Sequence, residues 1–172
     1  QPNGCRFPMG FLAKFNGAND MVWSTMFGNN GTVIHDMKPT EDGDLYITGE
    51  TGGTNISMFP YATLNLDDYQ LPYAGGIDAF IARFNISTNL LWSTTFGGIE
   101  DDFGYGIDFS EENGDVFMVG GTYSDENSFP LVDINDPLTH YSDAAPQYQT
   151  GFVTVFDFNP SMVNGYVPKY ST

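Results

Sequence analysis

Phe80-Ile81-Ala82-Arg83-Phe84, Trp92-Ser93-Thr94-Thr95-Phe96-Gly97-Gly98, Gly114-Asp115-Val116-Phe117-Met118-Val119-Gly120-Gly121-Thr122 and Phe129-Pro130 decide the fold, because all four pieces also occur upstream in the same order. There they read Phe11-Leu12-Ala13-Lys14-Phe15, Trp23-Ser24-Thr25-Met26-Phe27-Gly28, Gly43-Asp44-Leu45-Tyr46-Ile47-Thr48-Gly49-Glu50-Thr51 and Phe59-Pro60. The displacement is 69 positions for Lys14/Arg83, Trp23/Trp92 and Gly28/Gly97, and 71 for Gly43/Gly114, Gly49/Gly120 and Thr51/Thr122. Phe59-Pro60 recurs at 70. A third copy opens at Gly151-Phe152-Val153-Thr154-Val155-Phe156, with Phe152 placed 72 after Phe80, and departs at Asp157-Phe158-Asn159-Pro160. Self-similarity at a fixed period marks a repeat architecture, here two full units and the start of a third.

Within each unit the pieces read as strands. Phe11-Leu12-Ala13-Lys14-Phe15 alternates apolar and other residues with period 2, and its downstream copy keeps the pattern down to the cation. The Trp-containing piece, Met21 to Phe27 or Leu90 to Phe96, is a second strand with Trp, Thr and Phe on one face and small polar residues partly on the other, joined to the first by the Asn-rich segments 16–20 and 85–89, which suit a hairpin. A third strand is expected around Val33 to Met37 and Tyr105 to Phe109. A fourth follows at Leu45 to Thr48 and Val116 to Val119. Asp42-Gly43 and Asn113-Gly114 between them are the dipeptides of a type I′ turn. After Thr51 and Thr122 come long segments that differ between the units far more than the strands do, which is how variable decoration on a scaffold looks.

Four antiparallel strands per unit at a constant spacing are the sequence form of β-propeller blades. The fold expected is all-β, with a lead-in segment at 1–10, a first blade with its linker at 11–79, a second at 80–150, and the opening of a third at 151–172. Closed propellers need about four to eight blades. The remainder of the ring is therefore expected from further sequence of the same parent in the first place, with another chain, or an open array of stacked repeats, as the alternatives.

Composition narrows function by exclusion. The 172 residues carry 22 acidic and 5 basic side chains, a formal charge of −17, and such a field repels nucleic acid and anionic membrane surfaces. Cys5 is the one cysteine, so no disulfide forms within the chain. No run of about 18 apolar residues signals a membrane span.

The run from Asp78-Ala79-Phe80 through Trp92-Ser93-Thr94-Thr95-Phe96-Gly97-Gly98, Asp101-Asp102, Gly114-Asp115-Val116-Phe117, Gly120-Gly121-Thr122-Tyr123-Ser124 and Phe129-Pro130 resembles the bacterial SBBP repeat, a seven-bladed β-propeller repeat. The likeness covers most of 11 to 130. The first copy departs from the pattern at Asn29-Asn30 and Gly52-Gly53, and the third has Val155 where a cation is expected. The resemblance implies a large secreted or cell-surface protein of the kind found in Bacteroidota, beside adhesion modules, with no catalytic residues to carry over.

Candidate chemistry is sparse. His35 and His140 fall in different units, with His35 at the position of Gly106, and no serine has a histidine neighbour that would activate it. Glu100, Asp101 and Asp102 follow the Gly97-Gly98 turn as hard oxygen ligands on a loop, the donor type that Ca²⁺ takes, and Ca²⁺ is the one cofactor this chain suggests. Tyr61, Tyr69, Tyr73, Tyr141 and Tyr148 in the long linkers are candidate binding platforms, or else the apolar part of loops packed on blade edges. Lys14 and Arg83, repeat-equivalent cations, are expected to pair with carboxylates such as Asp44 or Asp115. The chain reads as a non-catalytic interaction or adhesion scaffold outside the cell, with a protein or glycan partner. A carbohydrate-binding or carbohydrate-active propeller is the alternative, and a cargo of a secretion system a third.

Overall fold

A computed structural model describes residues 8–52, 59–63, 70–85, 87–131, 148–157 and 167–171, with side chains to Phe156. It is all-β among these residues: β1 (Gly10–Phe15), β2 (Met21–Phe27), β3 (Val33–Pro39), β4 (Leu45–Gly52), β5 (Ile77–Phe84), β6 (Leu90–Phe96), β7 (Asp102–Phe109), β8 (Val116–Thr122), β9 (Thr150–Asp157) and β10 (Val167–Ser171). They form two four-stranded antiparallel sheets, β3-β4-β5-β6 and β7-β8-β9-β10, and a two-stranded sheet, β1-β2. These are two propeller blades and a partial third.

The sheets are out of phase with the sequence repeat. A blade takes its last two strands from the beginning of the following repeat unit, so the expected grouping of four consecutive strands within 11–79 is replaced by β3 to β6. The long segments, expected to lead from unit to unit, connect the second and third strands of one blade, since β4 pairs with β5 from Leu45↔Phe84 to Gly52↔Ile77 and β8 with β9 from Val116↔Phe156 to Thr122↔Thr150. The short glycine-bearing turns after Phe27 and Phe96 instead carry the chain from the outermost strand of one blade to the innermost strand of the next. A cyclic four-strand pattern can be cut at any of four places, and loop length marked the wrong one.

The turns at 40–44 and 110–115 also differ from a type I′ geometry. Thr40 N–H donates to Asp44 O at 2.9 Å and Gly43 N–H to Thr40 O at 3.0 Å, and Gly43 (φ 87°) and Gly114 (φ 77°) alone in these turns have positive φ. Each is a longer loop closed by one left-handed glycine, a common hairpin solution. The aspartate and asparagine before the glycines therefore stay on the right-handed side.

Blades are wedge-shaped, and the sequence supplies the taper. At the inner edge β7 lies across β3, β4 and β5, and a Cβ on Gly104 would sit 2.3 Å from Thr48 Oγ1 and 3.0 Å from Gly49 O, so only glycine permits the approach. Further out the space between sheets is filled by rings. Phe96 meets Phe152, Phe156 and Phe129 at 5.8, 5.7 and 5.4 Å, and Trp92 meets Phe156 at 5.7 Å. The preceding junction repeats the set: Phe27 meets Phe80, Phe84 and Phe59 at 5.4, 5.6 and 5.6 Å, and Trp23 meets Phe84 at 6.3 Å. The recurring Trp, the Phe ending the same strand, the Phe of Phe-Pro and the two Phe of β5 or β9 are thus one inter-blade core, with large quadrupolar rings mostly edge to face.

Candidate functional site

The inner strands bring together residues that spacing alone leaves apart. β3 and β7 each carry a bulge. Ile34 pairs with Gly49 and Asp36 with Thr48, skipping His35; Gly104 pairs with Gly120 and Gly106 with Val119, skipping Tyr105. The structural counterpart of His35 is therefore Tyr105, not Gly106, at the offset of 70 that holds all along β3 and β7. A bulge re-aims its side chain, and here both rings turn the same way and stack at 5.9 Å with 1° between their planes. Phe103 continues the column, 6.0 Å from Tyr105, and Gln149 Nε2 donates to the Tyr105 hydroxyl at 2.6 Å.

Polar contacts flank this column. His35 Nε2 lies 3.3 Å from Glu50 Oε2, and partial burial pushes the Glu50 carboxyl up, with His35 opposing. Ile107 N–H donates to Asp36 Oδ2 at 2.9 Å, Lys38 Nζ meets Asp108 Oδ1 at 2.6 Å, and Glu41 N–H donates to Glu111 Oε1 at 2.8 Å. His35/Tyr105, Lys38/Asp108 and Glu41/Glu111 are each 70 residues apart. Equivalent positions of neighbouring blades touch only where the repeats converge, which identifies β3 and β7 as the axial strands.

A second cluster occupies the end of the blades where β4 meets β5. Asp78 is fully buried; its carboxylate accepts N–H bonds from Ala74 at 2.9 Å and Gly75 at 3.1 Å. Burial nevertheless pushes its pKa up to about 7, with Asp102 and Asp101 adding repulsion. Asp102, also fully buried, accepts from Gly98 N–H at 2.7 Å and Ser124 Oγ at 3.0 Å through Oδ2. Its Oδ1 makes no hydrogen bond among the described residues, and burial raises its pKa to about 6. The equivalent knot one blade earlier is uncharged: Thr32 Oγ1 donates to Asn29 Oδ1 at 2.9 Å and shares a 2.8 Å contact with Thr51 Oγ1. These groups tie down the interblade turns.

Of the residues singled out as calcium ligands, Asp102 is buried and places its Oδ2 in this knot. Glu100 is exposed, its N–H donating to Ser124 Oγ at 3.0 Å. Asp101 is half-buried beside Gly76, where an added Cβ would lie 2.5 Å from its Oδ1. No three acidic, histidine or cysteine side chains among the described residues are placed to share a metal ion. Tyr61 packs on Phe59 at 4.9 Å and its hydroxyl contacts Thr95 Oγ1 at 3.2 Å. The Tyr73 hydroxyl donates to Gly76 O. Tyr148 is 80% exposed, and Tyr69 and Tyr141 lie outside the described residues. The linker carrying Tyr61 also screens the outer edge of β6, with Ala62 bridging Ser93 and Leu71 bridging Thr95, one way to protect an edge strand.

Arg83 meets Asp44 as expected, Nη2 at 2.5 Å and Nε at 2.7 Å from Oδ2, with its guanidinium 5.6 Å from the Tyr46 ring centre. Asp44 ends the turn that leads into the neighbouring strand β4, and Asp115, its repeat equivalent, accepts from Asn113 Nδ2 at 2.7 Å. Sequence reasoning missed Asp78, Glu50 and Tyr105. For Asp78 a signal existed: it is an acid at a strand start where the other copies have Met9 and Thr150.

No family model matches the chain. A protein of Acanthamoeba polyphaga mimivirus, described as an uncharacterized WD repeat-containing protein, is 26% identical over 133 residues, covering 74% of this chain. The match spans 9% of that relative's length.

Proposed function

We propose that this chain is a sector of a β-propeller that serves protein interaction, its contacts carried by the segments that do not repeat. The observation behind this reading is the division of labour between strands and linkers. Recurring rings, glycines and hydroxyls are spent on joining blades, whereas the β4–β5 and β8–β9 linkers, unlike in sequence, leave from equivalent strand ends. The WD-repeat relative supports a repeat propeller. Its name fits a period of 69–72 once residues 53–76 are set aside, because WD blades take about 40–45 residues.

A finer reading places the parent outside the cell as a secreted or surface-attached adhesion protein. It rests on the resemblance to SBBP repeats and agrees with a charge of −17 and a single cysteine. The test uses the parent protein with a photo-crosslinking residue at position 148. Protein adducts from intact cell surfaces that are lost when 131–147 is exchanged for residues 61–76, with position 148 kept, are the expected result. A glycan-array signal abolished by Tyr148→Ala, without protein adducts, would overturn it in favour of carbohydrate recognition.

A further inference from the structure

The repeat places Phe11, Phe80 and Phe152 at one position, and Phe15, Phe84 and Phe156 at another, in strands β1, β5 and β9. The downstream residues are buried: Phe80 is 0% exposed, Phe152 3%, Phe84 5% and Phe156 0%. Phe11 and Phe15 are 73% and 60% exposed, and Val22 and Met26 on β2 join them at 54% and 66%. β5 and β9 are each paired on both edges, whereas among the described residues β1 pairs with β2 alone. An exposed apolar face beside an open strand edge is a template for strand addition.

The two complete blades show what belongs on that edge. β5 receives β4 and β9 receives β8, antiparallel and in one register: Gly49 faces Phe80 and Gly120 faces Phe152, while Tyr46 faces Arg83 and Phe117 faces Val155. The incoming strand thus reads Asp-x-aromatic-x-x-Gly both times, Asp44 to Gly49 and Asp115 to Gly120. Its glycine is obligatory. A Cβ at Gly120 would lie 2.5 Å from the Phe152 ring and 2.0 Å from Phe103 O, and one at Gly49 would lie 1.9 Å from Val33 O. Its aspartate closes on the cation of β5, and Lys14, the repeat equivalent of that cation, makes no ion pair among the described residues.

We infer that the free edge of β1 is a docking site for a β-hairpin of this same repeat type, the axial strand and its hydrogen-bonded neighbour from a preceding repeat in the same polypeptide. A glycine of the hairpin faces Phe11, an aromatic faces Lys14, and an aspartate two residues before the aromatic meets the ammonium. The preceding repeat then covers Phe11, Phe15, Val22 and Met26 as β2 and β6 lie over the Phe pairs of β5 and β9. The 9% share of the WD-repeat relative spanned by the match shows that such units occur within far longer chains. This goes beyond the proposed function, because it concerns how the ring continues and not what the loops bind.

The test replaces residues 1–9 with a copy of residues 97–149, so that a β7–β8 hairpin and its own linker precede Gly10 as they precede β9. Hydrogen–deuterium exchange of the Phe11–Phe15 amides not bonded to β2 is compared with that of Phe80–Phe84. The fused chain is expected to slow these amides at least 100-fold, towards the rates of β5. Gly120→Val in the copied hairpin alone is expected to abolish the slowing while β5 stays protected. Unchanged β1 exchange in a fused chain whose β5 remains protected would overturn the inference. So would concentration-dependent protection of β1 in the unfused chain, since a second copy would then be the occupant.

Discussion

The two blade junctions use the same five aromatic positions yet differ in how completely they bury them. Between the four-stranded blades Trp92 is fully buried, with Phe96, Phe129, Phe152 and Phe156 around it. In the earlier junction Trp23 occupies the same repeat position on a two-stranded sheet and stays partly exposed, although Phe27, Phe59, Phe80 and Phe84 repeat the arrangement. Burial here is a property of the sheet that carries the ring: a residue on the second strand of a remnant lacks the neighbours that a full blade places behind it. Trp92→Ala is accordingly expected to cost about 3–5 kcal/mol, in the range of buried Trp truncations, and Trp23→Ala about half as much. Urea unfolding of each variant, read by the fluorescence of the remaining tryptophan, checks the order. Equal losses would mean that the remnant packs as tightly as a blade.

Close backbone approach distinguishes the interior of a blade from its tips. Gly120→Ala forces a Cβ against Phe103 O and the Phe152 ring, whereas Gly17→Ala, at the tip of the β1–β2 hairpin, meets nothing within 4 Å. The first is expected to cost about 3 kcal/mol through overpacking and the second to lie within about 0.5 kcal/mol of the parent. Thermal melts separate them.

The interblade knots differ in charge, Thr32 standing where the next repeat has Asp102. A carboxyl whose folded pKa is raised to about 6 binds protons more tightly when folded. Its stabilising contribution is full below the ordinary carboxylate pKa near 4 and is lost as pH rises through about 6, and for Asp78 through about 7. Stability should therefore fall between pH 4 and pH 7, and Asp102→Asn, which keeps an oxygen for Gly98 and Ser124, should flatten the lower part of that fall. Melting temperatures of the two proteins that stay parallel from pH 4.5 to pH 8 would exclude the buried carboxyl as the cause.

Arg83 and Lys14 extend the contrast to the ion pairs. Arg83→Met leaves Asp44, whose side chain is 13% exposed, without the two guanidinium N–H groups that meet its Oδ2, at a cost of about 1–2 kcal/mol. Lys14→Met, exposed on β1, should change stability by less than about 0.5 kcal/mol. A comparable loss for both would show that Lys14 already has a partner.

Element identity was legible in the sequence where local physics decides it. Met21–Phe27 and Leu90–Phe96 have the bounds their period-2 pattern predicts, and the Arg83–Asp44 pair follows from a cation kept at one repeat position in a chain with few. What stayed hidden was phase and aim. Whether β4 pairs with β3 alone or also with β5, across residues 53–76, depends on contacts distant in sequence. The bulges that turn His35 and Tyr105 into one stack leave no trace in the copy offset, which is 70 throughout β3 and β7 because both copies carry the bulge at the same place. Burial was hidden too, because exposed and buried carboxylates look alike in sequence. Asp102 at the first residue of β7 is folded inward onto Gly98 and Ser124, and Asp78 was passed over for want of a neighbour in sequence.

The smallest contrast lies in two hairpin tips of the same design. In β1–β2, Asn19 takes φ 66° and donates its N–H to Asn16 O at 3.0 Å; in β5–β6, Thr88 takes φ 69° and donates to Asn85 O at 2.8 Å. Asparagine tolerates the left-handed region, whereas a β-branched residue crowds its Cβ substituents against the backbone there, a penalty of about 1–2 kcal/mol. Thr88→Asn should therefore stabilise the chain by about 1 kcal/mol, less the bond from Thr88 Oγ1 to Ser87 O at 2.6 Å. The reverse exchange, Asn19→Thr, should weaken β1–β2 alone, because among the described strands that pair is a hydrogen-bonded sheet of its own. Hydrogen exchange then separates the two: Thr88→Asn slows opening of the whole β3–β6 blade, while Asn19→Thr speeds exchange only in β1 and β2. Faster exchange in β5 and β6 on Asn19→Thr would mean that the remnant and the blade open as one unit.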